Sequence, residues 1–192
     1  MILYHGATVQ VEHPICDFGR PNLDFGQGFY LTDLQEQAEE WAARQADSRK
    51  ESGVLNVYEF DRESAFKEYR YLLFPAYDRS WLHFIVSSRN GMKPWAVYDI
   101  IEGGIANDRV IDTVNLFSLG LMDEETALSR LSEHQPNNQI CILNQEVIDK
   151  YLFFKDLIAL RAQTNIEKYA ISSVGIGLVV SWSKCRNVSI FP

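Results

Sequence analysis

Three separated groups of residues carry the side chains with which this chain could do chemistry. Leu3-Tyr4-His5-Gly6 ends a short apolar segment on a histidine followed by a glycine. An imidazole exchanges hydrogen bonds near neutral pH, and a glycine leaves its backbone open to close approach. Asp24-Phe25-Gly26-Gln27-Gly28-Phe29-Tyr30-Leu31-Thr32 sets an aromatic pair at the exit of a glycine-rich turn, and Trp41 follows in the next segment. Asn137-Asn138-Gln139-Ile140-Cys141-Ile142 leads a polar amide into an apolar strand. Taken singly, each has a plain structural reading: a strand-end histidine, a turn with core aromatics, a strand-edge glutamine.

Other sources of chemistry are weaker. His13, His83 and His134 lack metal-ligand spacing, so no metal site is expected. Cys16, Cys141 and Cys185 form no CxxC pair, and no base is identifiable beside Cys16, so neither a zinc site nor a cysteine nucleophile is expected. No G-x-G-x-x-G opens a helix, and no G-x-x-x-x-G-K-[ST] occurs.

Composition narrows the field. The 192 residues fit one domain, or one domain with a tail. Apolar residues make up 46% and charged residues 23%, a globular rather than a disordered mix. Eighteen basic against 26 acidic residues leave a net charge of −8, which opposes a broad electrostatic grip on nucleic acid. Residues 156–192 carry Arg161, Lys168, Lys184 and Arg186 against Asp156 and Glu167, so the acidity belongs to the first 155 residues. The N-terminus has no secretory pattern. The longest apolar run, Val174–Val180, is too short to span a bilayer, and a cytoplasmic protein without a membrane partner is expected.

The elements that must position these residues are strands and short helices without regular βαβ alternation, which predicts an α+β fold. Ile2–Tyr4 reads as a strand. The turn formers from Pro14 to Gly28 read as a loop. Thr32 or Asp33, with Glu36 at capping-box spacing, predicts a helix over 33–49. Val54–Phe60 reads as a strand. The aromatic-rich Phe66–Phe74 stretch takes no assignment. Asp78–Ser88 reads as a buried helix, Trp95–Ile101 as strand-like, 107–117 as helical and Asp123–Glu133 as a helix capped by Asp123. Gln139–Leu143, Gln145–Tyr151 and Leu152–Phe154 read as strand, helix and strand. Ile171–Val180 is a further strand candidate that needs covering. Asp99 and Asn107-Asp108 read as a strand followed by a helix N-cap.

Together, His5-Gly6, Phe25-Gly26-Gln27-Gly28-Phe29-Tyr30 and Trp41 resemble the NAD-binding core of the ADP-ribosyltransferase superfamily, in its diphtheria-toxin and poly(ADP-ribose) polymerase branch. "LYHG", "DFGQGFYLT", "QAEEWA", "YDIIEGGIAND" and "NNQICILN" look most like the bacterial DUF3990 family of that superfamily, over residues 1–155. The resemblance implies a split mixed β-sheet core with surrounding helices in residues 1–155, and an appended segment over 156–192. It implies NAD as co-substrate and no metal. His5 would hold a ribose hydroxyl, and the Gly6 backbone the nicotinamide carboxamide. Tyr30 and Trp41 would wall the nicotinamide slot, and Gly26 and Gly28 would keep the backbone close to the ligand. Gln139 stands where the family has its catalytic glutamate, and Ala38 where it has a serine. A glutamine accepts a hydrogen bond but brings no charge and cannot act as a base.

The implied function is mono-ADP-ribosyl transfer to a protein or nucleic-acid acceptor. Small members of this superfamily are often toxins or conflict-system components, which implies an antitoxin or immunity protein as partner. The alternatives are an NAD glycohydrolase, or a degenerate module that binds NAD, ADP-ribose or another protein. Residues 8–24 and 61–80 are the loops expected to choose the acceptor. Arg20 or Arg44 is the expected local partner of the NAD diphosphate.

Overall fold

Side chains along the late strand of this molecule divide between two apolar clusters: Ile140 and Ile142 join one, Cys141 the other. That alternation is the signature of a sheet buried on both faces. The computed structural model describes residues 1–19, 23–106, 110–134 and 136–160. Arg20, Asn107-Asp108 and the Ile171–Val180 strand candidate lie outside the described residues. The described residues fall within one compact unit, Met1–Arg161.

The described residues form an α+β fold, with a mixed seven-stranded sheet and six α-helices. In chain order these are β1 (Ile2–Ala7), β2 (Phe29–Thr32), α1 (Gln35–Arg49), β3 (Val54–Phe60), α2 (Arg62–Glu68), β4 (Tyr71–Phe74) and α3 (Arg79–Arg89). There follow β5 (Ile100–Gly103), α4 (Ile111–Ser118), α5 (Glu124–Leu131), β6 (Gln139–Ile142), α6 (Gln145–Tyr151) and β7 (Leu152–Ala159). The strand order is β4-β5-β6-β2-β1-β3-β7. Only β4 and β5 are parallel. Leu3, Phe29, Tyr58, Phe60 and Ile140 pack against Ala65 of α2 and Val147 of α6. On the other face, Ile101 and Cys141 pack with Trp81, Leu82 and Ile85 of α3, Val114 of α4 and Leu131 of α5. Among the described residues, no helix is long and apolar enough to cross a membrane.

The sheet parts in its middle. β1 pairs with β3 through all its residues, from Ile2↔Glu59 to Ala7↔Val54. β2 likewise pairs with β6 from Phe29↔Ile142 to Thr32↔Gln139. Between β1 and β2 the ladder holds one pair, Tyr4↔Thr32. Beyond it, His5 and Gly6 go with β3 while Tyr30 and Leu31 go with β6.

Several elements differ from the sequence expectation, for local reasons. No capping box starts α1. Thr32 ends β2 instead, with its Oγ1 donating to the Asn138 carbonyl (2.7 Å) and accepting from Leu34 N (3.1 Å). The helix then begins at Gln35 with Leu34 at the N-cap and no side-chain cap. Trp95 is not in a strand, because Pro94 opens a 3-10 turn over Pro94–Val97. The 61–80 stretch is not a loop: Asp61 caps α2 through Ser64 N (3.2 Å), and Tyr71–Phe74 is an edge strand. β7 runs to Ala159, held against β3 to its end.

α1 lies on β1 at Gly6. A Cβ there would sit 2.0 Å from the Ala38 carbonyl oxygen and 2.8 Å from Ala42 N. Both are backbone atoms that cannot yield without moving the helix. Gly6→Ala is therefore expected to destabilise the fold by about 1–3 kcal/mol through overpacking. At Gly53 the nearest approach would be 3.3 Å, to the Ala42 carbonyl oxygen, so Gly53→Ala needs a shift of only a few tenths of an ångström and is expected to cost less than Gly6→Ala. Urea unfolding of the two variants measures the difference.

Candidate functional site

His5 stands on β1 just past the last backbone pair to β2. Its Nδ1 lies 2.8 Å from the Tyr30 carbonyl oxygen, across the parting of the strands. A carbonyl only accepts, so Nδ1 carries the hydrogen and the neutral ring keeps a bare acceptor at Nε2. Burial draws the His5 pKa below its usual value, against the opposing effect of this hydrogen bond. The ring also rests on Phe29, with centroids 4.6 Å apart. Nε2 has no protein partner among the described residues.

Tyr30 directs its side chain to the face of the sheet opposite Phe29 and Leu31. Its hydroxyl donates to the Gly26 carbonyl (2.7 Å) and accepts from Phe25 N (3.1 Å). The hydroxyl thus closes the turn in which Gly26 adopts φ +88°, a conformation suited to glycine. Burial, above all, raises the Tyr30 pKa well beyond the ordinary phenol range, so the group stays protonated. The bare Cα of Gly26 lies against the Trp95 ring, and that of Gly28 against the Ile142 carbonyl and the Cys141 thiol. On the side where a Cβ would stand, both glycines approach protein.

Gly6 meets α1 as described, and its carbonyl accepts from Gln45 Nε2 (3.2 Å). Ala38 and Ala42 are the buried residues of α1. Trp41, between them, is half exposed (50%). One turn before Trp41, Gln37 Oε1 lies 3.2 Å from Thr32 Oγ1, which puts that flank of α1 towards β2. Gln139 begins β6 between Thr32 of β2 and Gly103 of β5. By register Tyr4, Thr32, Gln139 and Gly103 form a row on the Tyr30 side of the sheet. The Gln139 side chain has no partner among the described residues. A hollow of about 290 Å³, lined by Phe74, Gly103 and Asn138 among others, borders the start of this strand.

The structure thus brings His5 and Tyr30 into contact and sets Gln139 on the strand beyond β2. Trp41 sits on the helix above Gly6. Arg44 faces Glu40 at 3.9 Å. Glu146, near Gln139 in sequence, instead accepts from the Tyr69 hydroxyl (3.1 Å).

Asp99 directly precedes β5, away from this opening. Arg70 grips its carboxylate with two guanidinium bonds (2.9 and 3.0 Å) and its backbone N–H (2.9 Å), and Asn144 adds a fourth bond (3.0 Å). These partners, Arg70 first, lower its pKa to about 2 against the cost of burial. Cys16 and Cys141 are free and buried. The Cys16 thiol lies 3.3 Å from the Ile142 carbonyl, and burial pushes it up to about 12, so it is no nucleophile.

Two residues escaped the sequence reading. Asn56 Oδ1 accepts from Val11 N (2.8 Å) and its Nδ2 donates to the Val9 carbonyl (3.1 Å). The Tyr58 hydroxyl donates to the Val11 carbonyl. They tie the segment after β1 over the His5 side of the sheet. The available signal was an amide in the apolar run Val54-Leu55-Asn56-Val57.

Residues 1–154 match the model of a family described as Protein of unknown function (DUF3990). The chain belongs to the DUF3990 family. No curated protein and no solved structure matches it. In this family member the matched region ends within β7, so it includes both sides of the parted sheet.

The neutral His5 has a consequence for stability. Its folded-state pKa is depressed, so below about pH 6.5 the unfolded chain binds a proton that the folded chain refuses. Stability is therefore expected to fall as the pH drops through that range. His5→Asn keeps a donor for the Tyr30 carbonyl but does not titrate. Denaturant unfolding at stepped pH should show a shallower decline for this variant than for the native chain.

Proposed function

We propose that this DUF3990 protein cleaves NAD and transfers ADP-ribose to a macromolecular acceptor, protein or nucleic acid. The observation that supports this reading is the opening between β1 and β2. A neutral histidine acceptor and a tyrosine stand on its two sides, and an unpaired amide starts the next strand. The sequence resemblance to ADP-ribosyltransferases selects NAD among such ligands, which is an analogy about function.

Each residue then has a task set by its environment. His5 Nε2 accepts a ribose hydroxyl and positions the sugar. Tyr30 offers its ring, since its hydroxyl is spent on the Gly26 turn. Trp41 covers the nicotinamide from α1, with its electron-rich face against the cationic ring. Gln139 accepts the 2′-hydroxyl of the nicotinamide ribose through its amide oxygen. The C1′–nitrogen bond breaks, and nicotinamide leaves with the electron pair. The acceptor nucleophile bonds to C1′ and releases its proton. Without a carboxylate at Gln139 the cationic transition state lacks its strongest electrostatic support, so turnover is slow. If the chain acts as a toxin, an antitoxin or immunity protein that blocks the opening is its partner.

A second reading has its own support. Asn138, at the start of β6, donates to the carboxylates of Asp33 (3.0 Å) and Glu102 (3.3 Å), and Arg62 holds Glu102 as well (2.7 Å). Both carboxylates near Gln139 are thus occupied. This favours a module that binds NAD or ADP-ribose without turning it over. With water as acceptor, the same site would be an NAD glycohydrolase.

The test is nicotinamide release from NAD, with mass spectrometry of the products. Transfer predicts a modified macromolecule, and hydrolysis predicts free ADP-ribose alone. His5→Ala and Tyr30→Phe should be compared after circular dichroism shows both folded. His5→Ala should abolish release, whereas Tyr30→Phe should retain most of it because the ring remains. Gln139→Glu should raise the rate about tenfold or more by restoring the charge. NAD binding without release favours the second reading, and absence of NAD binding overturns both.

A further inference from the structure

A cleft of about 590 Å³ lies away from the strand opening, at the opposite end of β6 from Gln139. Its walls come from the 3-10 turn Cys16–Phe18, the Pro94–Val97 turn, the start of β5 and the β6–α6 junction. Its size is in the range of ligand and anchor pockets.

Most of its polar groups are already engaged. Asp99 is held by Arg70 and Asn144. Gln145 donates to the Pro14 carbonyl (3.0 Å) and accepts from Cys16 N (3.0 Å). What remains for recognition is largely apolar. Trp95 and Tyr98 line the cleft, and the Trp95 indole N–H and the Tyr98 hydroxyl have no partner among the described residues. One side of the Trp95 ring packs on Gly26, and the Lys93 ammonium lies 5.9 Å from the ring centroid.

Exposed apolar residues stand in the lining and next to it in the chain. Ile15 is 61% exposed, Val97 59% and Phe18 91%. Ile15 lines the cleft, Phe18 follows its Asp17, and Val97 sits between its Ala96 and Tyr98. Exposed apolar side chains beside a concave patch are the features of a contact surface with a central anchor pocket. The charge at the Cys16 end is negative. The Asp17 carboxylate has no partner among the described residues, and Asp17 and Asp149 both act on the Cys16 thiol. A nucleotide would bring phosphate to a cleft whose one lining guanidinium is already bidentate with Asp99.

We infer that this cleft docks a segment of a partner protein that inserts an aromatic or aliphatic anchor between Trp95 and Tyr98 and sets a neighbouring Lys or Arg against Asp17. The net charge of −8 favours a basic partner over the longer range. This assignment does not depend on the NAD reading.

The experiment selects a random-peptide phage library against the full chain. The expected peptides share an apolar anchor beside Lys or Arg. Synthetic versions should lose about tenfold or more in affinity on Phe18→Ser/Val97→Ser, and a smaller amount on Asp17→Asn, by calorimetry. These surface changes should leave the unfolding transition in place. NAD or AMP should not compete with the peptides. The assignment is overturned if no such peptides enrich, or if the variants bind them unchanged. Competition by NAD or AMP overturns it too, by making the cleft a nucleotide site. Sedimentation showing a dimer that Phe18→Ser/Val97→Ser dissolves also overturns it, by making the face a self-contact.

Discussion

One hydrogen bond, from His5 Nδ1 to the Tyr30 carbonyl, stands where a ladder of backbone bonds between β1 and β2 would otherwise run. A buried carbonyl without a donor is costly, and strands that separate in mid-sheet leave such groups behind. The imidazole supplies the missing donor while holding the strands apart. It thereby fixes its own tautomer, and the bare Nε2 that results is the acceptor on which the proposed chemistry draws.

Around this contact the molecule keeps two halves of a sheet in place by different means. On one side, β1 and β3 are pressed against α1, and the closeness of that packing is set by the absence of a side chain at Gly6. On the other, β2, β6 and β5 are clamped by side chains that reach across elements. Thr32 joins the ends of β2 and β6, and Asp99 ties the approach to β4 to the start of α6. The Tyr30 hydroxyl locks the turn that leads into β2, and Trp95 backs the same turn through Gly26. The cleft beside Trp95 is thus mechanically linked to the residue that walls the strand opening.

The strong local patterns were legible from sequence. Val54–Phe60 and Gln145–Tyr151 coincide with β3 and α6, the helix read from Asp78 is α3, and Asp123 caps α5 as the sequence suggests. What the sequence hid is decided by partners distant in the chain. Thr32 and Asp33 look like a helix cap, but both are taken by Asn138. Phe66–Phe74 showed no period because it holds the end of one element and a short edge strand beside parallel β5. The glycines announced a close approach without saying to what. The candidate site residues were named from their types and spacing. Their division between the two faces and across the parting of β1 and β2 needed the pairing register.

In the proposed reaction the opening between β1 and β2 receives NAD. A crystal structure of the protein with NAD at saturating concentration tests it most directly. The dinucleotide is expected in that opening, with the nicotinamide between Tyr30 and Trp41, one ribose on His5 Nε2 and the other on Gln139. NAD bound in the cleft beside Trp95, or an opening left empty at saturation, would contradict it.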